Sequence, residues 1–220
     1  MSSSYPSFPT ESSTFLLPGA VGDLELMTTW PSDLKRPAVV IICHPHPLFQ
    51  GSMKNKVVTT LFRAFDQAGM ATVRFNFRGV GKSEGEYAEA VGEQDDLEAV
   101  LAWVSQTLID FDVYLAGFSF GSYVAAAVAN REPVAGLITV APPVHHFAFS
   151  NLNRVRCPWL LVMGEQDEIV PMQPVQDFVA ASRVPIEMVT FPEATHFFHG
   201  QLLVLREQVM TWLSANSQST

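Results

Sequence analysis

Gly117-Phe118-Ser119-Phe120-Gly121 sets one serine between two glycines in a G-x-S-x-G pattern. A serine hydroxyl is a weak nucleophile until a base takes its proton, so the pattern gains meaning only if the chain supplies that base. Four histidines follow Ser119: His145, His146, His196 and His199. His196 is the expected base, because it falls in a loop between an apolar strand-like run and the last helix. His199 reads as the start of that helix, and the pair His145-His146 reads as an exposed loop, with substrate contact as the alternative. A base of this kind needs a carboxylate to hold its tautomer and stabilise the imidazolium. Gly164 to Pro171 offers Glu165, Asp167 and Glu168. Asp167, in mid-loop, is expected to be the acid ahead of its two neighbours, and Glu193 reads as a solvated loop charge.

Attack on a carbonyl also needs N–H donors for the oxyanion. The residue after the nucleophile, Phe120, supplies one. The other is expected from His44-Pro45-His46-Pro47-Leu48, which follows an apolar run. Proline has no N–H, which narrows the donor to His46 or Leu48, with His46 preferred. Two histidines at i and i+2 could instead bind a metal, but no further ligands cluster near them in sequence. No metal and no organic cofactor are expected.

These residues need a scaffold that brings distant loops together. Ala38–Cys43 is a continuous β-branched run, as in a strand buried on both faces. Ala71–Phe77, Val113–Ala116, Val134–Val140, Trp159–Met163 and Ile186–Phe191 read as further strands, and Asp23–Trp30 as a half-exposed strand near a sheet edge. Between them, Lys56–Met70, Asp95–Thr107, Ser119–Asn130, Pro171–Ser182 and Gln201–Leu213 carry helical apolar spacing. Alternating strands and helices imply an α/β fold: a mostly parallel, twisted sheet of about seven or eight strands with helices on both faces. In such sheets the chemistry sits in loops at the carboxyl ends of the strands. Ser119 falls between a strand and a helix, where an elbow presents its hydroxyl. The plainer alternative is a helix cap with no chemistry.

Composition narrows the function classes. The chain has 220 residues, 48% of them apolar, and a net charge of −9. The expectation is one domain over residues 1–220, with 1–13 as a frayed, Ser-rich tail. No basic block is present, so nucleic acid and anionic membrane are not expected partners. No run reaches the roughly 18 apolar residues of a membrane span, the N-terminus does not read as a signal peptide, and a cytoplasmic location is expected. Cys43 and Cys157 lack metal spacing and are expected to be reduced, buried thiols.

Taken together, His44 to Pro47 with Gly51-Ser52-Met53, Arg74 to Gly85, the serine elbow, Gly164 to Pro171 and Thr195-His196-Phe197-Phe198 resemble small bacterial α/β-hydrolases without a lid. The match runs from about Phe15 to Leu213. The resemblance implies an α/β-hydrolase fold with no cap domain and a Ser119–His196–Asp167 triad. It also implies an architectural role for the loop Arg78–Gly85. Related enzymes cleave esters, thioesters, amides and other bonds. The expected activity is hydrolysis of small or short-chain carboxylic esters. A thioesterase or amidase on the same triad, or a silent binding scaffold, are the alternatives. Only Ala141 to Arg156 separate two strands where larger relatives carry a helical cap. The site is therefore expected to be open, lined by Leu48, Phe49, Phe118 and Phe197, with Phe120, Phe147 and Phe149 as further aromatic candidates. Oligomeric state is not legible in the sequence.

Overall fold

The computed structural model describes residues 6–216. Its eight strands form one sheet: β1 (Ser13–Pro18), β2 (Asp23–Thr29), β3 (Ala38–Cys43), β4 (Ala71–Phe75), β5 (Asp112–Phe118), β6 (Gly136–Val140), β7 (Trp159–Gly164) and β8 (Glu187–Phe191). Their order is β1-β2-β4-β3-β5-β6-β7-β8. The first three in that order pair antiparallel, and every later pair is parallel. Parallel neighbours need crossovers. Helices α1 (Lys56–Gln67), α2 (Gly92–Thr107), α3 (Phe120–Ala129) and α4 (Met172–Ala181) lie in these connections, the β6–β7 connection has no α-helix, and α5 (Leu202–Ala215) follows the last strand.

The period-two alternation of β3 shows how both faces are filled. Val39, Ile41 and Cys43 enter the core under α2 and α3, with Leu97, Val100 and Val124. Ala38, Val40 and Ile42 enter the core under α1 and α5, with Leu61, Phe65, Leu205 and Val209. The chemistry-bearing loops all leave this doubly covered sheet at the carboxyl ends of β3, β5, β7 and β8. No helix among the described residues is long and apolar enough to cross a membrane.

Two expectations need correction. The eighth strand, β1, starts at Ser13, inside the segment read as a tail. Residues 6–8 are packed as well: Phe8 is buried and stacks on Trp103 at 5.2 Å, and Trp103 Nε1 donates to the Pro6 carbonyl at 2.8 Å. Aromatic burial outweighs the polar composition there. Residues 1–5 and 217–220 lie outside the described residues. Helix α2 also starts three residues ahead of Asp95, at Gly92. The Glu93 carboxylate in its first turn accepts the Ala88 N–H at 2.8 Å, which ties off the approach to the helix.

Candidate active site

Ser119 stands between β5 and α3 with φ 52° and ψ −120°, a conformation few non-glycine residues adopt. The elbow is held by its two glycines. A Cβ on Gly117 would come within 2.2 Å of the Gly121 carbonyl oxygen, and one on Gly121 within 2.5 Å of the Cys43 and His44 carbonyl oxygens. The helix start is thus pressed against the end of β3, which only glycine permits. Ser119 N–H donates to the Val140 carbonyl at 2.8 Å, pinning the turn to β6. Ser119 occupies the N-cap position, yet its side chain makes no capping bond. Its hydroxyl instead lies 3.2 Å from His196 Nε2.

His196 sits in the loop after β8, with its side chain 3% exposed. Its Nδ1 is 2.8 Å from Asp167 Oδ2. The ring packs on Phe118 and meets Phe197 edge-on, at centroid distances of 5.0 and 5.1 Å. Asp167, in the loop after β7, is fixed by its other oxygen. Oδ1 accepts the N–H groups of Ile169 at 2.9 Å and Val170 at 2.7 Å. Two backbone donors fix its plane. With Nδ1–H donating to Asp167, the Nε2 lone pair faces the serine hydroxyl, as proton abstraction requires.

The competing carboxylates go elsewhere. Glu165 accepts from the Thr190 hydroxyl at 2.7 Å, and Glu168 Oε2 accepts the His196 backbone N–H at 3.2 Å. Of the competing histidines, His199 is exposed in the turn before α5, not on the helix. His145 and His146 are an exposed pair with rings 4.0 Å apart.

The loop after β3 separates its two histidines. His44 is fully buried; its Nε2 accepts the Phe77 N–H at 3.0 Å, so Nδ1 carries the hydrogen and donates to the Pro45 carbonyl at 2.6 Å. Burial lowers its pKa from the usual 6.5 to about 4, only partly opposed by the bond to Pro45. His46 Nδ1 accepts the Leu48 N–H at 3.2 Å, and Nε2 lies 3.2 Å from the Tyr87 hydroxyl. All four ring nitrogens are engaged within the protein, which argues against the metal reading of this pair. The same bonds separate the two oxyanion candidates. Leu48 N–H is occupied, while His46 N–H and the first helical N–H, Phe120, have no partner among the described residues. Those two are the donors free to meet an oxyanion.

The expected walls divide by exposure. Leu48 at 67%, Phe49 at 81% and Phe197 at 37% exposed stand open at the rim. Phe118 is a correction: it is fully buried, because the alternation of β5 sends Tyr114, Ala116 and Phe118 into the core under α1 and α5. It supports His196 from beneath and presents no surface to a substrate. Phe120 and Phe149 are likewise buried. A groove of about 630 Å³ lies between the β6–β7 connection and α4, lined by Val144, Phe147, Phe149, Leu152 and Phe178 among others.

Sequence reading missed several residues that hold the site. Asn76, buried, accepts the Met53 N–H at 2.8 Å and donates to Glu25 at 2.8 Å. Arg78 grips Asp96 with both Nε and Nη2, and the Arg78 N–H adds a third donor. Arg78 opens the loop Arg78–Gly85, expected to be architectural, and its grip on Asp96 fits that role, while Asn76 lies two residues ahead of it. Tyr87 carries no local signal, since its partner His46 is far away in the chain, and Glu168, a candidate acid in the sequence, instead meets the His196 backbone.

The β6–β7 connection holds one short 3-10 turn, Phe149–Asn151, and no cap. An α/β serine hydrolase homologue from Coxiella burnetii is 51% identical, with 94% of this chain and 100% of that one covered and a TM-score of 0.91. An α/β serine hydrolase without a lid from Xanthomonas campestris is 40% identical, with 96% and 97% covered and a TM-score of 0.91. An uncharacterized protein of Rickettsia prowazekii is 35% identical over 170 residues, covering 73% of this chain and 71% of that protein. The family model of the α/β hydrolase fold matches residues 38–154, and with the sheet order and the serine elbow this places the chain in the lidless branch of that fold: it belongs to the α/β-hydrolase family.

Proposed function

We propose that this protein is a serine hydrolase that cleaves small or short-chain carboxylic esters through an acyl-enzyme on Ser119. The observation that carries this reading is the unbroken line from Ser119 Oγ through His196 to Asp167, with spans of 3.2 and 2.8 Å. His196 Nε2 takes the hydroxyl proton as Oγ bonds to the ester carbon. The carbonyl oxygen becomes an oxyanion, met by the N–H groups of Phe120 and His46. Asp167 stabilises the imidazolium without taking its proton. Collapse of the tetrahedral species breaks the bond to the alkoxy oxygen, which leaves with the proton from His196. Water then enters, gives its proton to His196 and releases the acid, restoring Ser119. The residues named suffice for this cycle, with no metal or organic cofactor.

The preference for small esters rests on the open mouth. Leu48, Phe49 and Phe197 offer apolar contact without enclosure. Each buried methylene contributes about 0.8 kcal/mol, so a few acyl carbons are expected to help before the gain ends. The test pairs a fluorophosphonate with an acyl series from acetyl to palmitoyl esters. The expected result is one label, on Ser119, with the highest kcat/KM among short chains. No labelling would leave a silent scaffold, and thioesters or amides outpacing matched esters would move the substrate class.

A further inference from the structure

We propose that Tyr87 is a positioning residue for this reaction: through the His46 imidazole it sets the loop that offers the His46 N–H to the oxyanion. The inference rests on the ester-cleaving reading above. Leu48 N–H can only donate, so the Nδ1 it meets must hold the lone pair. Nε2 then carries the hydrogen and points it at the Tyr87 oxygen, 3.2 Å away. Burial lowers the His46 pKa, in keeping with a neutral ring. The ring is clamped by Phe49, Tyr87 and Phe120 at centroid distances of 4.8 to 4.9 Å. The His46 carbonyl accepts two more loop N–H groups, Phe49 and Gly51, each at 3.1 Å. The whole turn therefore closes around one residue, and that residue's outer contact is Tyr87.

Tyr87 is itself anchored. The next N–H, Ala88, is held by the buried Glu93 carboxylate at the start of α2. Glu89 and Ala90 then pass through positive φ values of 54° and 65°, a costly path that persists only where surroundings enforce it. The brace thus runs from the α2 start through Tyr87 to His46. The Phe120 ring lies against both His46 and Tyr87, so the two oxyanion donors share one support.

A donor displaced by a fraction of an ångström loses its value in the transition state more than in the ground state, so kcat falls and KM holds. Tyr87→Phe keeps the ring and removes the hydroxyl; it is expected to lower kcat about 5- to 10-fold with KM within about twofold, a modest share of the 10² to 10³ carried by a whole donor. His46→Ala is expected to lose about 30- to 100-fold on the same ground. His46→Asn sets an oxygen where Nδ1 stood, so it is expected to recover part of that loss. Tyr87→Phe in the His46→Asn background is expected to add nothing, because its partner is already gone. The rate of fluorophosphonate capture by Ser119 is expected to fall in step with kcat, while the thermal midpoint of each variant holds. Additive losses, a change confined to KM, or wild-type kcat in Tyr87→Phe would overturn the brace. Failure of the wild type to label at Ser119 would instead overturn the reaction it serves, and the brace with it.

Discussion

His44 and His196 are both shut off from solvent, and each uses both ring nitrogens, yet the two sites ask opposite things of the same side chain. His44 lies between two backbone groups, the Phe77 N–H and the Pro45 carbonyl. Neither partner can give up or take a proton, so the ring is frozen as one neutral tautomer and works as a rivet between the ends of β3 and β4. His196 lies between a carboxylate and a hydroxyl. One partner stabilises a positive ring and the other can surrender a proton. Burial alone therefore does not suit a histidine to proton transfer; the protonation freedom of its two neighbours does.

The contrast breaks most sharply under substitution. Ser119→Ala and His196→Ala are each expected to lose roughly 10⁴-fold or more in kcat/KM, with unfolding midpoints near wild type. Combining them is expected to cost little beyond either alone, because the residues act as one unit. Hydrolysis of an activated ester within tenfold of wild type in Ser119→Ala would remove Ser119 from its role. Asp167→Asn is expected to cost less, on the order of 10² to 10⁴ in kcat, since Asn can still meet the ring but not stabilise its charge. A milder Asp167→Asn beside a crippled Glu165→Gln would move the acid to Glu165.

Much of the site was legible because the fold forces it to be. A buried parallel strand reads as an unbroken apolar run, so β3, β5 and β7 were visible, and the loops after them could be named. Asp167 was favoured over Glu165 and Glu168 by its place in the loop. The structural reason is finer: a short side chain at that point turns back onto the N–H groups of residues 169 and 170. The alternation that buries Phe118 is present in the sequence, with Tyr114 and Ala116 on the same face of the strand. Tyr87 was illegible for a different reason. It meets His46 at a separation of 41 positions, from a glycine-rich loop whose path no local periodicity describes. Phe8 was hidden by its serine neighbours, because composition averages over a segment while packing selects one ring.

The pH dependence of stability gives a second way to separate the two histidines. His44 has its folded pKa lowered to about 4, against an ordinary value of 6.5. The unfolded chain therefore binds the proton first as pH falls. The sign follows: His44 supports the fold fully above pH 6.5, and that support is lost as pH drops through 6.5 towards 4. The difference of about 2.5 pKa units corresponds to roughly 3 kcal/mol. His44→Gln keeps an acceptor for the Phe77 N–H and cannot titrate. It is expected to be less stable than wild type at pH 7 by about 1 to 2 kcal/mol, for imperfect replacement of two buried bonds. It is also expected to lose less on acidification. Denaturant unfolding of both proteins from pH 7 to 4 measures this, and parallel curves would show that His44 is not the titrating group.

The smallest effect probes how tightly the working histidine must be held. Glu168 Oε2 accepts the His196 backbone N–H from a neighbouring loop, while the carboxylate on the His196 ring is that of Asp167. If Glu168 acted by charge, Glu168→Gln would shift the acid limb of the kcat/KM profile, because a carboxylate near an imidazole favours its protonated form. If it acts by holding the backbone, Glu168→Gln keeps an oxygen in place and changes little, while Glu168→Ala leaves that N–H without its acceptor. The bond is a single one at 3.2 Å, and Glu168 is exposed, so water competes for the same N–H. Loss of about 3-fold or less in kcat is expected for Gln, and about 3- to 10-fold for Ala, the scale of one exposed hydrogen bond of about 1 kcal/mol. His44 offers the control: its backbone bonds are sealed in the core, and water cannot replace them. A Glu168→Gln profile displaced by half a pH unit or more would show that the second carboxylate works on the proton and not on the loop.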